Sequence, residues 1–96
     1  MLRLAGPEDG GDLAAFLSRA AALDPGVLVR LRGGGGRVAV HARLPFGVPV
    51  SRTVGGEVEP ADVTVAAADL LPALDTAGDR VVVPRPRDTE WRSALP

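Results

Sequence analysis

The sequence predicts an α+β domain: an antiparallel β-sheet with two short helices packed on one of its faces. Two observations carry this. Residues 27–54 hold three runs of period-two apolar alternation, broken only by Gly33–Gly36 and by Pro45-Phe46-Gly47. Leu13, Phe16, Leu17, Ala20 and Leu23 recur at helical spacing ahead of those runs, and Leu70, Leu71 and Leu74 do so after them. The element order is β-α-β-β-β followed by β-α-β.

Taken in order, Met1–Ala5 is a short apolar strand and Gly6–Gly11 a turn. Asp12 is placed to cap the first helix, its carboxylate accepting free N–H groups of the first turn. Asp24-Pro25-Gly26 stops that helix. In the first hairpin, treating Gly33–Gly36 as the loop pairs Arg32 with Arg37 and sets Leu31 against Val38, Val29 against Val40 and Val27 against Ala42. One continuous apolar face results, and such a face is what fixes a register. In the second hairpin, proline at the first and glycine at the third loop position suit a type I turn followed by a left-handed residue. That pairs Leu44 with Val48, Ala42 with Val50 and Val38 with Val54. Arg52 then falls on the apolar face opposite Val40, so it must reach the sheet margin or meet a carboxylate.

Asp62–Val65 reads as a strand and Ala66–Asp75 as a helix. Asp69 is placed as its cap, so that Pro72 lies in its first turn. Gly78 ends it, and Arg80–Val83 is a last strand. Residues 1–84 form the single domain. Residues 85–96 are a Pro/Arg-rich extended tail, in which Trp91 is expected to dock on something.

Composition narrows the function. A chain of 96 residues, 46% apolar, supports one core. No apolar run approaches the length needed to cross a bilayer, so no membrane association is expected. Without cysteine there is no disulfide, thiolate nucleophile or sulfur metal site, which favours the cytoplasm. Lys, Asn, Gln, Ile and Tyr are absent. The absent Lys, Asn, Ile and Tyr have AT-rich codons, and the pattern points to a high-GC bacterial genome. Arginine in place of lysine is therefore coding bias and not in itself a nucleic-acid signature.

Each catalytic or cofactor motif fails on a named residue. Gly6 and Gly11 stand at P-loop spacing, but Asp12-Leu13 replace the Lys-Ser/Thr that holds phosphate and Mg²⁺. Gly33–Gly36 leads into a strand, whereas a phosphate cradle needs a helix N-terminus. His41, the only histidine, faces Ser51, but no acid between residues 27 and 56 orients its ring within this sheet. Glu57, Glu59 and Asp62 lack calcium-loop spacing. No enzyme activity, cofactor or metal is expected.

Charge is the distinctive feature. Net charge is −1, yet residues 27–56 carry Arg30, Arg32, Arg37, Arg43 and Arg52 without an acid. Residues 57–79 carry Glu57, Glu59, Asp62, Asp69, Asp75 and Asp79 without a base. The alternation puts Arg30, Arg32, Arg37, His41 and Arg43 on the sheet face opposite the core, as a candidate anion- or partner-binding face. The expected function is a non-catalytic interaction or assembly domain. It would associate with another protein or a second copy through the exposed sheet face or the edge strand, with the acidic 57–79 segment of that copy as one complement of the arginine face. The alternative is a nucleic acid or other polyanion, although the face has no aromatics for base stacking.

Two resemblances accompany this reading. The hairpin GRVAVHARLPFGVPVSRTV and the strand-to-helix string DVTVAAADLLPALD give an element order that resembles a half-repeat of the DNA sliding-clamp fold followed by a shortened second one. This implies the fold rather than DNA encirclement: clamp helices that line DNA are basic, and here they carry Asp12, Asp69 and Asp75. The strings LDPGVLVRLR, ARLPFGVPVSRTV, ADVTVAAADLL and DTEWRSALP look like the N-terminal part of an uncharacterised actinobacterial family. That resemblance implies the first module of a longer protein and no assigned activity.

Overall fold

The structure is a computed structural model that describes residues 1–44, 47–77 and 80–87, with only the backbone of 75–77. It contains β1 (Leu2–Leu4), α1 (Pro7–Leu23), β2 (Leu28–Gly34), β3 (Arg37–Arg43), β4 (Pro49–Val58), β5 (Asp62–Ala66), α2 (Ala67–Ala77) and β6 (Arg80–Val81). The strands form one antiparallel, curled sheet in the order β5-β2-β3-β4-β1-β6. The expected α+β architecture and its element order are what the chain adopts. The turn at Pro45-Phe46, the stop at Gly78 and the tail residue Trp91 lie outside the described residues.

Both helices pack on one face of the sheet. Leu13, Leu17 and Ala20 of α1 and Ala67 and Leu70 of α2 share a core with Val29, Leu31, Val38, Val40, Val54, Val63 and Val65. Leu23 departs from the expected stripe. It ends the helix and is 63% exposed, while Phe16 is half-buried. No described helix is long and apolar enough to cross a membrane.

The first helix begins earlier than Asp12 suggests. Gly6 is the N-cap residue, Pro7 opens the helix, and Glu8 and Asp9 occupy its first turn. Proline is pre-set for the first helical position, where its missing N–H costs nothing, and the acids meet the positive end of the helix dipole. Asp12 does not cap the helix; instead its Oδ2 accepts a 3.0 Å hydrogen bond from Arg52 Nη2. The arginine stranded on the apolar face of β4 has found its carboxylate at the sheet margin. Asp9 Oδ1 likewise accepts the Gly55 N–H at 2.8 Å, tying α1 to β4 a second time.

The second helix also starts early, at Ala67, so Asp69 stands within its first turn and Pro72 inside the helix. The carbonyl that Pro72 cannot bond belongs to Ala68, which is exposed and open to water.

The second hairpin has the expected register: Ala42 opposes Val50, His41 opposes Ser51, Val40 opposes Arg52 and Val38 opposes Val54. The first hairpin is shifted by two residues. Arg32 opposes Ala39, Gly34 opposes Arg37 and Leu31 opposes Val40. The loop is only Gly35-Gly36, with φ of +61° and +77°. Two left-handed residues make the two-residue turn whose twist matches that of its strands, and it prevails over a four-residue loop. A shift of two keeps every side chain on its expected face but separates Arg32 from Arg37.

Candidate interaction surface

Arg30, Arg32, Arg37, His41 and Arg43 alternate with buried Val29, Leu31, Val38, Val40 and Ala42, so all five lie on the face away from the helices. Cross-strand rows order that face. One row runs Thr64, Arg30, His41, Ser51 and the next Asp62, Arg32, Ala39, Thr53.

Asp62 changes the character of the surface. β5 lies beside β2, and Asp62 sits among the arginines. Arg30 Nε donates to its Oδ1 at 2.9 Å and Arg30 Nη2 to its Oδ2 at 2.6 Å, a fork-on-fork pair. Arg32 Nε is 4.0 Å from the same Oδ2. The basic and acidic stretches of the sequence thus meet inside one chain. Asp62 is paired with its own Arg30, so one carboxylate stands within the arginine face. Arg37, opposite Gly34, is exposed and has no carboxylate partner among the described residues.

His41 and Ser51 are opposed as expected, and neither has a hydrogen bond or ion pair through its side chain among the described residues. A shallow hollow of about 260 Å³ is bounded by His41, Arg43, Pro49 and Ser51. Glu57 is engaged elsewhere, bridging to Arg3 at 2.8 Å on the neighbouring strand. Among the described residues no three carboxylates or imidazoles converge on a point where a cation would sit. A larger groove of about 630 Å³ is lined by Gly33–Gly36, Gly56, Arg3 and Arg80 among others.

An edge strand is one of the expected association surfaces, and the open backbone among the described residues belongs to β4. β4 spans ten residues and β1 three, and on β4 the β1 ladder covers only Gly56, Glu57 and Val58. Among the described residues, the backbone of β4 before Gly55 is hydrogen-bonded to β3 alone. Its signal in the sequence was the unequal length of the first strand and the long run ending at Val58.

The family model for the domain of unknown function DUF8010 matches residues 1–93. This chain belongs to the DUF8010 family. A match of that extent takes in every element of the sheet and both helices. No curated protein and no solved structure matches the chain.

Proposed function

We propose that this DUF8010 domain is a non-catalytic protein-interaction module that self-associates through its sheet. The observation that carries the reading is the uneven protection of the sheet. At the β5 margin, the Arg87 N–H donates to the Thr64 carbonyl at 2.6 Å, and the β6 margin is only two residues long. The backbone of β4 before Gly55, by contrast, has no partner on its outer side among the described residues. Uncovered strand edges recruit other strands unless they are blocked or used. A cytoplasmic location and a high-GC bacterial source go with the reading, on the cysteine-free, lysine-free composition.

Sedimentation or light scattering over a concentration series at low salt tests it. The expected mass rises to twice the 9.9 kDa of the chain. A single-chain mass at every concentration removes the reading.

A further inference from the structure

We propose that the open half of β4 pairs, antiparallel and about a two-fold axis through Ser51, with the same segment of a second copy of this chain. The inference rests on the self-association reading and names its surface.

The hydrogen-bonding sense of β4 is fixed at both ends. Leu44 N–H donates to the Val48 carbonyl at 2.8 Å, and Gly56 N–H to the Gly36 carbonyl at 2.9 Å, with unbroken register between them. Bonded and non-bonded pairs alternate along an antiparallel ladder. Val48, Val50, Arg52 and Val54 therefore direct their backbone groups at β3, and Pro49, Ser51, Thr53 and Gly55 direct theirs outward. Gly55 is satisfied: its carbonyl accepts from Ala5 at 3.0 Å and its N–H donates to Asp9. The outward groups of Pro49, Ser51 and Thr53 meet no partner among the described residues, and all three residues are exposed.

This edge is self-complementary. With the axis at Ser51, that residue exchanges both backbone bonds with its mate, and each Thr53 N–H donates to the other copy's Pro49 carbonyl. Pro49 has no N–H to leave stranded there. Arg52 then lies against Val50 of the other strand. An axis at Arg52 would instead oppose two arginines, which is unfavourable. An axis at Val50 would carry Thr53 beyond the end of its mate's strand.

Charge on α1 fits the same axis. The Asp9–Gly55 and Asp12–Arg52 contacts show that the helix runs beside β4 in the opposite direction. From Asp12, helical spacing places Phe16, Arg19 and Leu23 on the same side. The acids of α1, Glu8, Asp9 and Asp12, are all in its first half, and its only cation, Arg19, is in the second. A two-fold axis reverses one helix against the other and brings Asp12 toward the other copy's Arg19. It also covers half-buried Phe16 and the exposed Leu23 and Val48, 63% and 49% exposed.

Because the chain has no cysteine, one substitution reads the axis directly. Paired strands place facing Cα atoms roughly 5.5 Å apart, within disulfide reach. Ser51→Cys is expected to oxidise to a covalent dimer, while Ser18→Cys on the exposed side of α1 stays a single chain. Thr53→Pro removes an outward N–H that the folded monomer does not use, and is expected to raise the dimer dissociation constant at least tenfold. Where that variant fails to fold, the Ser51→Cys result decides alone. A wild-type dimer in which Ser51→Cys cross-links no better than Ser18→Cys overturns the edge pairing and leaves self-association standing. A wild-type chain that is monomeric throughout overturns both.

Discussion

Gly56 is held by two constraints at once. Its φ is +150°, and a Cβ there would lie 2.2 Å from the Arg3 carbonyl oxygen and 3.1 Å from the Leu4 Cα. Those atoms belong to β1, whose pairing with Glu57 and Val58 closes that side of the sheet, so relief requires the strands to part. Gly34, in the same groove, has ordinary φ and nothing within 4 Å of an added Cβ. Gly56→Ala should therefore cost about 3 kcal/mol or more. Gly34→Ala should shift stability by no more than about 0.5 kcal/mol. Urea denaturation of the two variants measures the difference, and equal costs would mean that β1 is not packed on Gly56 as described. Composition alone cannot separate these glycines: both occur in Gly-rich strings, and only the neighbouring strand distinguishes them.

At the scale of the element, period-two alternation was enough to place the side chains of β2, β3 and the part of β4 up to Val54 on their correct faces. It was not enough to align β2 with β3, because registers that differ by two residues bury the same set. What decides is the turn, where two left-handed glycines fit a two-residue loop. If so, asparagine, which tolerates the left-handed region and favours this turn when glycine follows, should replace Gly35 without loss. Gly35→Asn is expected to stabilise by about 0.5 kcal/mol, by restricting the unfolded chain. Gly35→Val should destabilise. Thermal melting of the pair checks this, and a loss on Gly35→Asn would contradict the turn. The stranded charge of Arg52 was likewise legible, since an arginine on an apolar face demands a margin or an acid. That Asp12 supplies the acid was not, because its role depends on α1 starting at Pro7 rather than behind a cap at Asp12 itself.

For the whole molecule, the segregation of basic and acidic residues along the sequence has an internal explanation: the fold sets β5 beside β2, and Asp62 answers Arg30 and Arg32. This could not be read from the chain, since the β2–β5 neighbourhood joins segments some thirty positions apart, across two intervening strands. The side chains of Arg30 and Asp62 remain 36% and 45% exposed, so the pair contributes at most about 1 kcal/mol and serves mainly to fix orientation. The far edge of β5 is closed differently. There the chain returns after β6, and the Arg87 backbone, not its side chain, makes the short bond to Thr64. The Arg87 guanidinium lies within 4.0 Å of Asp69. A backbone bond survives truncation of the side chain but not the loss of its hydrogen. Arg87→Ala should accordingly keep the β5 edge closed and leave the mass unchanged. Arg87→Pro should cost about 1 kcal/mol and leave the β5 edge open to other strands. Denaturation curves of the two variants, read together with their masses by light scattering, test this closure. If Arg87→Pro matched Arg87→Ala in both, the β5 edge would not depend on that bond, and β4 would no longer stand apart as the open edge among the described residues.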